Sequence, residues 1–158
     1  MPRYAFAVNR SATASLGRQS ILAFLLMVVG LLWLFARREV LARSLPAVAI
    51  QVAAVALMIA ARLTFGLRSF HAAANPTAGG LVTRGPYHWL RHPIYAAILY
   101  FTWSTALDYH SVQSFAAALL VTAGASIRMY AEESLLMTMY PEYAAYRART
   151  ARVIPFVL

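Results

Sequence analysis

Three short stretches hold the residues best suited to chemistry. The first is Leu81–Tyr95, which contains Arg84-Gly85-Pro86-Tyr87 and Arg91-His92-Pro93-Ile94-Tyr95. Gly85-Pro86 makes a turn, and Pro93 suits the first turn of a helix, where its missing N–H costs little. Arg91 and His92 then fall at that helix's N-terminus. Free N–H groups and the positive end of the helix dipole favour an anion there, and a guanidinium strengthens the preference. A ligand carboxylate or a lipid phosphate would answer that description. An interfacial helix anchored by Tyr87, Trp89 and Tyr95, with no ligand, explains the same residues.

The second stretch is Arg128 to Glu133. Glu132 and Glu133 are two of only five acids in the chain, and they close a long apolar run, where ionisable groups are costly and often functional. Arg128 and Glu132 stand four apart and share a helix face. Glu133 points about 100° away, so the two acids need not do the same work; a salt-bridged helix end is the plainer reading. The third stretch, Tyr143, Tyr146 and Arg147 followed by Arg152 and Pro155, has the spacing of an interfacial amphipathic helix. Cysteine is absent, which removes disulfides, thiolate zinc sites and a thiol nucleophile. Of the four histidines, His71, His88, His92 and His110, His88 and His92 stand four apart, but no HExxH motif and no cysteine accompanies them, so no metal site is expected.

These residues need apolar elements to carry them. The chain of 158 residues has room for one domain. It is 61% hydrophobic and 12% charged, which is too little polar sequence to coat a soluble bundle. Four runs are apolar and uncharged: Ser20–Ala36, Leu45–Ala61, Pro93–Leu107 and Val112–Ile127. Each is shorter than the ~20 residues that span comfortably, but flanking Arg and Tyr can extend them. The first resembles a signal-peptide core, yet Arg37-Arg38-Glu39 follows it rather than a cleavage site, so it reads as an uncleaved membrane helix. The expected architecture is an all-α integral membrane bundle of about four transmembrane helices with a cytoplasmic C-terminal helical segment. It is a single domain, 1–158, with a two-helix part (1–80) and a motif-bearing part (81–158). Asp108–Ser111 reads as a tight turn, Gly66–Arg91 as a connector rich in turn signals, and Tyr130–Tyr140 as helix ending at Pro141.

Net charge is +9 and every basic residue is Arg. The arginines lie between apolar runs, so they report topology and lipid headgroups rather than nucleic acid. With both termini cytoplasmic, eleven arginines lie inside and three outside (Arg37, Arg38 and Arg43), which the positive-inside rule favours. A bacterial inner membrane suits that arrangement.

Taken in order, Gly85-Pro86-Tyr87, Arg91-His92-Pro93-Ile94-Tyr95, Arg128, Glu132-Glu133, Tyr143/Tyr146 and Arg152/Pro155 resemble the isoprenylcysteine carboxyl methyltransferases and related phospholipid methyltransferases. The resemblance covers about Leu81–Pro155. It departs at Ala96-Ala97, where relatives often carry a Gly, and at Tyr140-Pro141, where Phe-Gly is common. It implies methyl transfer from S-adenosylmethionine to a lipophilic or small-molecule acceptor, a carboxylate, amine or thiol, at the cytoplasmic membrane face. Carried over, Tyr87, Arg91, His92, Pro93, Tyr95, Arg128, Glu132 and Glu133 would form the cofactor site, and Tyr143, Tyr146 and Arg147 would meet the acceptor. Two readings compete. Sterol-reductase-like enzymes using NADPH resemble the same region but prefer an Arg-His-x-Asn-Tyr pattern. A catalytically silent membrane scaffold would keep the helices without the chemistry.

Overall fold

Capping and turn chemistry set the helix limits. A computed structural model describes residues 10–66 and 80–155, and every regular element among them is helical: α1 (Arg10–Ala36), α2 (Leu45–Phe65), α3 (Pro93–Tyr109), α4 (Val112–Met139) and α5 (Tyr143–Ala148), with a 3-10 turn at Gly85–His88. Pro46 enters the first turn of α2 and Pro93 opens α3, the positions where proline forfeits no helical hydrogen bond. His110 takes a left-handed conformation (φ 53°) and ends α3. Ser111 caps α4 by accepting from the Ser114 N–H at 3.0 Å, which satisfies one donor the helix start leaves orphaned. Arg3, Arg68, His71, Asn75-Pro76 and Gly79 lie outside the described residues.

Two boundaries differ from the sequence reading. α1 begins ten residues before the apolar run at Ser20, because no proline lies between Arg10 and Gln19. Tyr130–Met139 is the continuation of the fourth helix rather than a separate segment; no Gly or Pro interrupts it before Pro141. Three helices, with spans Gly17–Ala36, Leu45–Phe65 and Val112–Met139, are long and apolar enough to cross a membrane. The third apolar run became α3, 17 residues long or about 26 Å. It is shorter than a bilayer's ~30 Å hydrocarbon and is the helix flanked by α2 on one side and α4 on the other.

Helices α1 and α4 pack antiparallel, α2 packs along α3, and the α3–α4 contact joins the pairs. The α1–α4 approach depends on small residues, as expected where lipid removes the hydrophobic drive between helices. A Cβ on Gly124 would sit 2.5 Å from the Ala23 carbonyl and 2.7 Å from Met27 Cγ. Met27, Tyr95, Leu99, Val121, Ala125 and Met129 form the shared core. Outward residues such as Leu22, Leu32, Phe35 and Leu63 are large, apolar and exposed, the surface a bilayer would cover.

The end of the bundle holding the α1–α2 and α3–α4 loops is tied by side chains onto backbone. Asp108 accepts from the Arg43 N–H at 2.5 Å and the Ser44 N–H at 3.2 Å. Buried Gln51 accepts from the Ala42 N–H (3.1 Å) and donates to Val40 O (2.9 Å) and Thr105 Oγ1 (2.8 Å). The opposite end carries the start of α1, the end of α2, the 3-10 turn, the start of α3, the end of α4, and α5.

Candidate active site

A strap after α5 closes that second end. The Ala151 N–H donates to Trp89 O (2.9 Å), the Arg91 N–H to Ala151 O (2.8 Å) and the His92 N–H to Arg152 O (3.1 Å), so Leu90 and Ala151 form a parallel β-bridge. Tyr146 Oη donates to Tyr87 O at 2.7 Å, and Tyr100 Oη donates to Val153 O. The amides ahead of Pro93 are therefore taken by the chain's own carbonyls. The free-amide anion site expected at the start of α3 is reduced accordingly.

The two acids diverge as helical geometry requires. Glu133 faces inward, its side chain 6% exposed. Its Oε1 accepts from Arg91 Nε (3.2 Å), His92 Nε2 (3.1 Å) and Arg152 Nε (3.2 Å), and its Oε2 from Arg152 Nη2 (2.8 Å). An ionised carboxylate only accepts, so His92 Nε2 carries hydrogen. Arg91 is equally committed: its Nη1 donates to Arg147 O (2.7 Å) and to Thr150 O. Glu133 and Arg91 together lock α3, α4 and the strap.

Glu132 is the accessible acid, 25% exposed at its side chain. Tyr95 Oη donates to its Oε1, Arg128 Nη2 lies 3.5 Å from the same oxygen, and His92 Nδ1 lies 3.7 Å from Oε2. The i,i+4 pairing of Arg128 with Glu132 thus forms. Arg128 also donates from Nε to Tyr95 Oη (2.7 Å) and from Nη1 to Ser20 O (3.2 Å), and stands over the Phe24 ring at 5.5 Å. Through Arg128, α1 joins the site.

The tyrosines of the third stretch turn inward. Among the described residues, one buried side-chain polar atom lacks a hydrogen-bond partner: Tyr143 Oη. Tyr143 is 1% exposed, and an unsatisfied buried hydroxyl costs about 1–3 kcal/mol. Burial, and then the charge of Glu133, raise its ionisation well above the ordinary tyrosine value; burial pushes Tyr146 up to about 12 and raises Tyr87 further. All three hydroxyls stay neutral at physiological pH. Arg147 is exposed on α5, whereas Tyr143 and Tyr146 are buried. It lines a cleft of about 630 Å³ with Arg91, Arg152, Met137, Val153 and Ile154.

The structure therefore gathers Tyr87, Arg91, His92, Pro93, Tyr95, Arg128, Glu132, Glu133, Tyr143 and Tyr146 at one end, and sets Arg147 on its outer rim. Sequence reasoning left Arg152, Ser20 and Phe24 without a site role. Arg152 had a signal, since an unpaired basic residue beside a terminal proline motif needs an acid. Ser20 and Phe24 had none, because Ser20 acts through its carbonyl and Phe24 is one apolar residue in an apolar helix.

Comparison with known proteins identifies the family. No solved structure and no curated protein matches the chain. The sequence profile of the phospholipid methyltransferase family matches residues 44–143. That stretch holds α2, α3, α4, the Arg91-to-Tyr95 motif, both glutamates and Tyr143, and on that match the chain belongs to the phospholipid methyltransferase family.

Proposed function

We propose that the protein transfers a methyl group from S-adenosylmethionine to a lipophilic acceptor at the membrane face where α4 ends. One observation carries the reading. Glu132 is a partly exposed carboxylate held rigidly by Tyr95, Arg128 and His92, inside the segment that matches a methyltransferase family. When bound, the cofactor supplies an electrophilic methyl on a sulfonium centre. Its ammonium and ribose hydroxyls suit an acid of this kind. The orphaned Tyr143 hydroxyl offers a neutral donor to its carboxylate or to a ring acceptor.

The protein's own contribution is placement and dryness. Tyr95 and Arg128 fix Glu132. Glu133, Arg91 and Arg152 brace the strap over the site, and the buried core of Met27, Leu99, Val121 and Met129 walls it from water. A carboxylate or thiolate acceptor is nucleophilic without a base, and an amine sheds its proton to water. The lack of a dedicated base therefore accords with an enzyme of this kind. A lipid-borne acceptor would approach sideways between helices.

The test uses purified protein in nanodiscs of total lipid extract, supplied with methyl-labelled S-adenosylmethionine. Label is expected in the organic phase, and Glu132→Gln should lower its rate at least about tenfold, roughly the 1.4 kcal/mol of one charge-assisted contact. Unlabelled lipid with folded protein, across carboxylate, amine and thiol lipids, would overturn the reading.

A further inference from the structure

The cleft outside α5 is built from cations and small or apolar side chains, with no carboxylate among its lining residues. Arg91 closes its inner wall, but its hydrogen bonds go to Glu133 and to two backbone carbonyls. Arg152 gives Nε and Nη2 to Glu133, yet its side chain remains 43% exposed. The Arg147 guanidinium is exposed and makes no hydrogen bond or ion pair with the described residues. One buried carboxylate, Glu133, thus stands against three guanidiniums and pairs with two of them, so the cleft is net positive. Ala144 and Ala148, four apart on the outward face of α5, leave room for a group to approach the helix. A volume near 630 Å³ suits a headgroup of moderate size.

Depth decides what reaches it. α4 has 28 residues, about 42 Å, against ~30 Å of hydrocarbon. Its last turns, including Met137, therefore stand among lipid headgroups. Met137 and Ile154 on the cleft wall are about half exposed and apolar. Cations beside exposed apolar residues at that depth match a lipid: phosphate on the arginines, glycerol and upper chain on Met137, Val153 and Ile154.

We infer that this cleft is a docking site for the phosphate of an anionic membrane lipid, separate from the methyl-transfer site on the inner side of α5. Arg147 takes the phosphate, and the exposed edge of Arg152 shares it. Arg152 also holds Glu133, so an occupied cleft fastens the strap against α4 and fixes α5 at the membrane surface. The inference does not depend on which reaction the inner site performs.

Thermal unfolding of the protein in nanodiscs tests it. Phosphatidylglycerol mixed into phosphatidylcholine should raise the melting temperature above that in phosphatidylcholine alone. Native mass spectrometry should find phosphatidylglycerol retained. Arg147→Gln should weaken that retention about fivefold, the factor that corresponds to about 1 kcal/mol per basic residue at a charged surface. Ala148→Glu, which adds a carboxylate at an exposed position, should weaken it as much, and it keeps the test intact should Arg147→Gln fold poorly. Arg43→Gln, at the other end of the bundle, should leave both the shift and the retention intact. An equal shift with inorganic phosphate in pure phosphatidylcholine would assign the cleft to a soluble anion and overturn the lipid proposal. So would a shift unchanged in both cleft variants.

Discussion

Glu132 and Glu133 are neighbours in sequence with opposite surroundings. Glu133 accepts from Arg91, His92 and Arg152 in a buried setting, where removing a charge strands its partners at a cost of about 3–5 kcal/mol. Glu132 keeps a quarter of its side chain open. We therefore assign Glu133 to stability and Glu132 to binding. We assign Tyr143 to binding for a different reason, since its hydroxyl is buried without a partner. Tyr143→Phe removes that hydroxyl and little else. The expected result is a ligand-free protein at least as stable as wild type, by up to about 1 kcal/mol, with S-adenosylmethionine affinity lowered roughly three- to tenfold. Melting curves and titrations on the same preparation check it. A clear loss of stability would mean that the hydroxyl is satisfied within the protein.

Among the elements, the closest packing is between α1 and α4, where Gly30 and Gly124 admit the facing backbone. Gly124→Ala should push α1 outward and destabilise by about 1–3 kcal/mol, read as a lower melting temperature in detergent. Gly17→Ala, with nothing within 4 Å of the added carbon, should be neutral or slightly stabilising, since Ala is the better helix former. These elements were legible in sequence wherever local chemistry marked them: Pro93, the Asp108–Ser111 turn and the break at Pro141 all stand where their residue types predict. Facing was not legible. On α4, inward Val121 and Met129 and outward Leu119 and Ile127 are equally apolar, so no periodicity shows which side of the helix faces the bundle. Without that direction the roles of Glu132 and Glu133 could not be separated. Likewise, no sequence feature announced that the strap's carbonyls would occupy the amides ahead of Pro93.

At the scale of the whole molecule, the four long helices run up and down, so the start of α1 and the strap lie at the same end. Arg62, Arg84, Arg91, Arg128, Arg147, Arg149 and Arg152 lie at that end, and Arg37, Arg38 and Arg43 at the other. By the positive-inside rule we propose that the site faces the cytoplasm. The chain has no cysteine, so single introduced cysteines report cleanly. A cysteine at exposed Ala148 should resist a membrane-impermeant thiol reagent in intact cells and react after lysis. One at exposed His110 should react in intact cells. The reverse pattern would invert the topology and leave the fold unchanged.

The central claim is that the open acid, Glu132, holds S-adenosylmethionine while Glu133 holds the fold together. Calorimetric titration of S-adenosylmethionine into detergent-solubilised wild type, Glu132→Gln and Glu133→Gln, with melting curves for each and NADPH as the control ligand, tests it most directly. The account predicts saturable binding to wild type and none of NADPH. It predicts affinity at least about tenfold weaker in Glu132→Gln at an unchanged melting temperature, and a Glu133→Gln protein that melts several degrees lower. Wild-type affinity in Glu132→Gln, or binding of NADPH in place of S-adenosylmethionine, would contradict it.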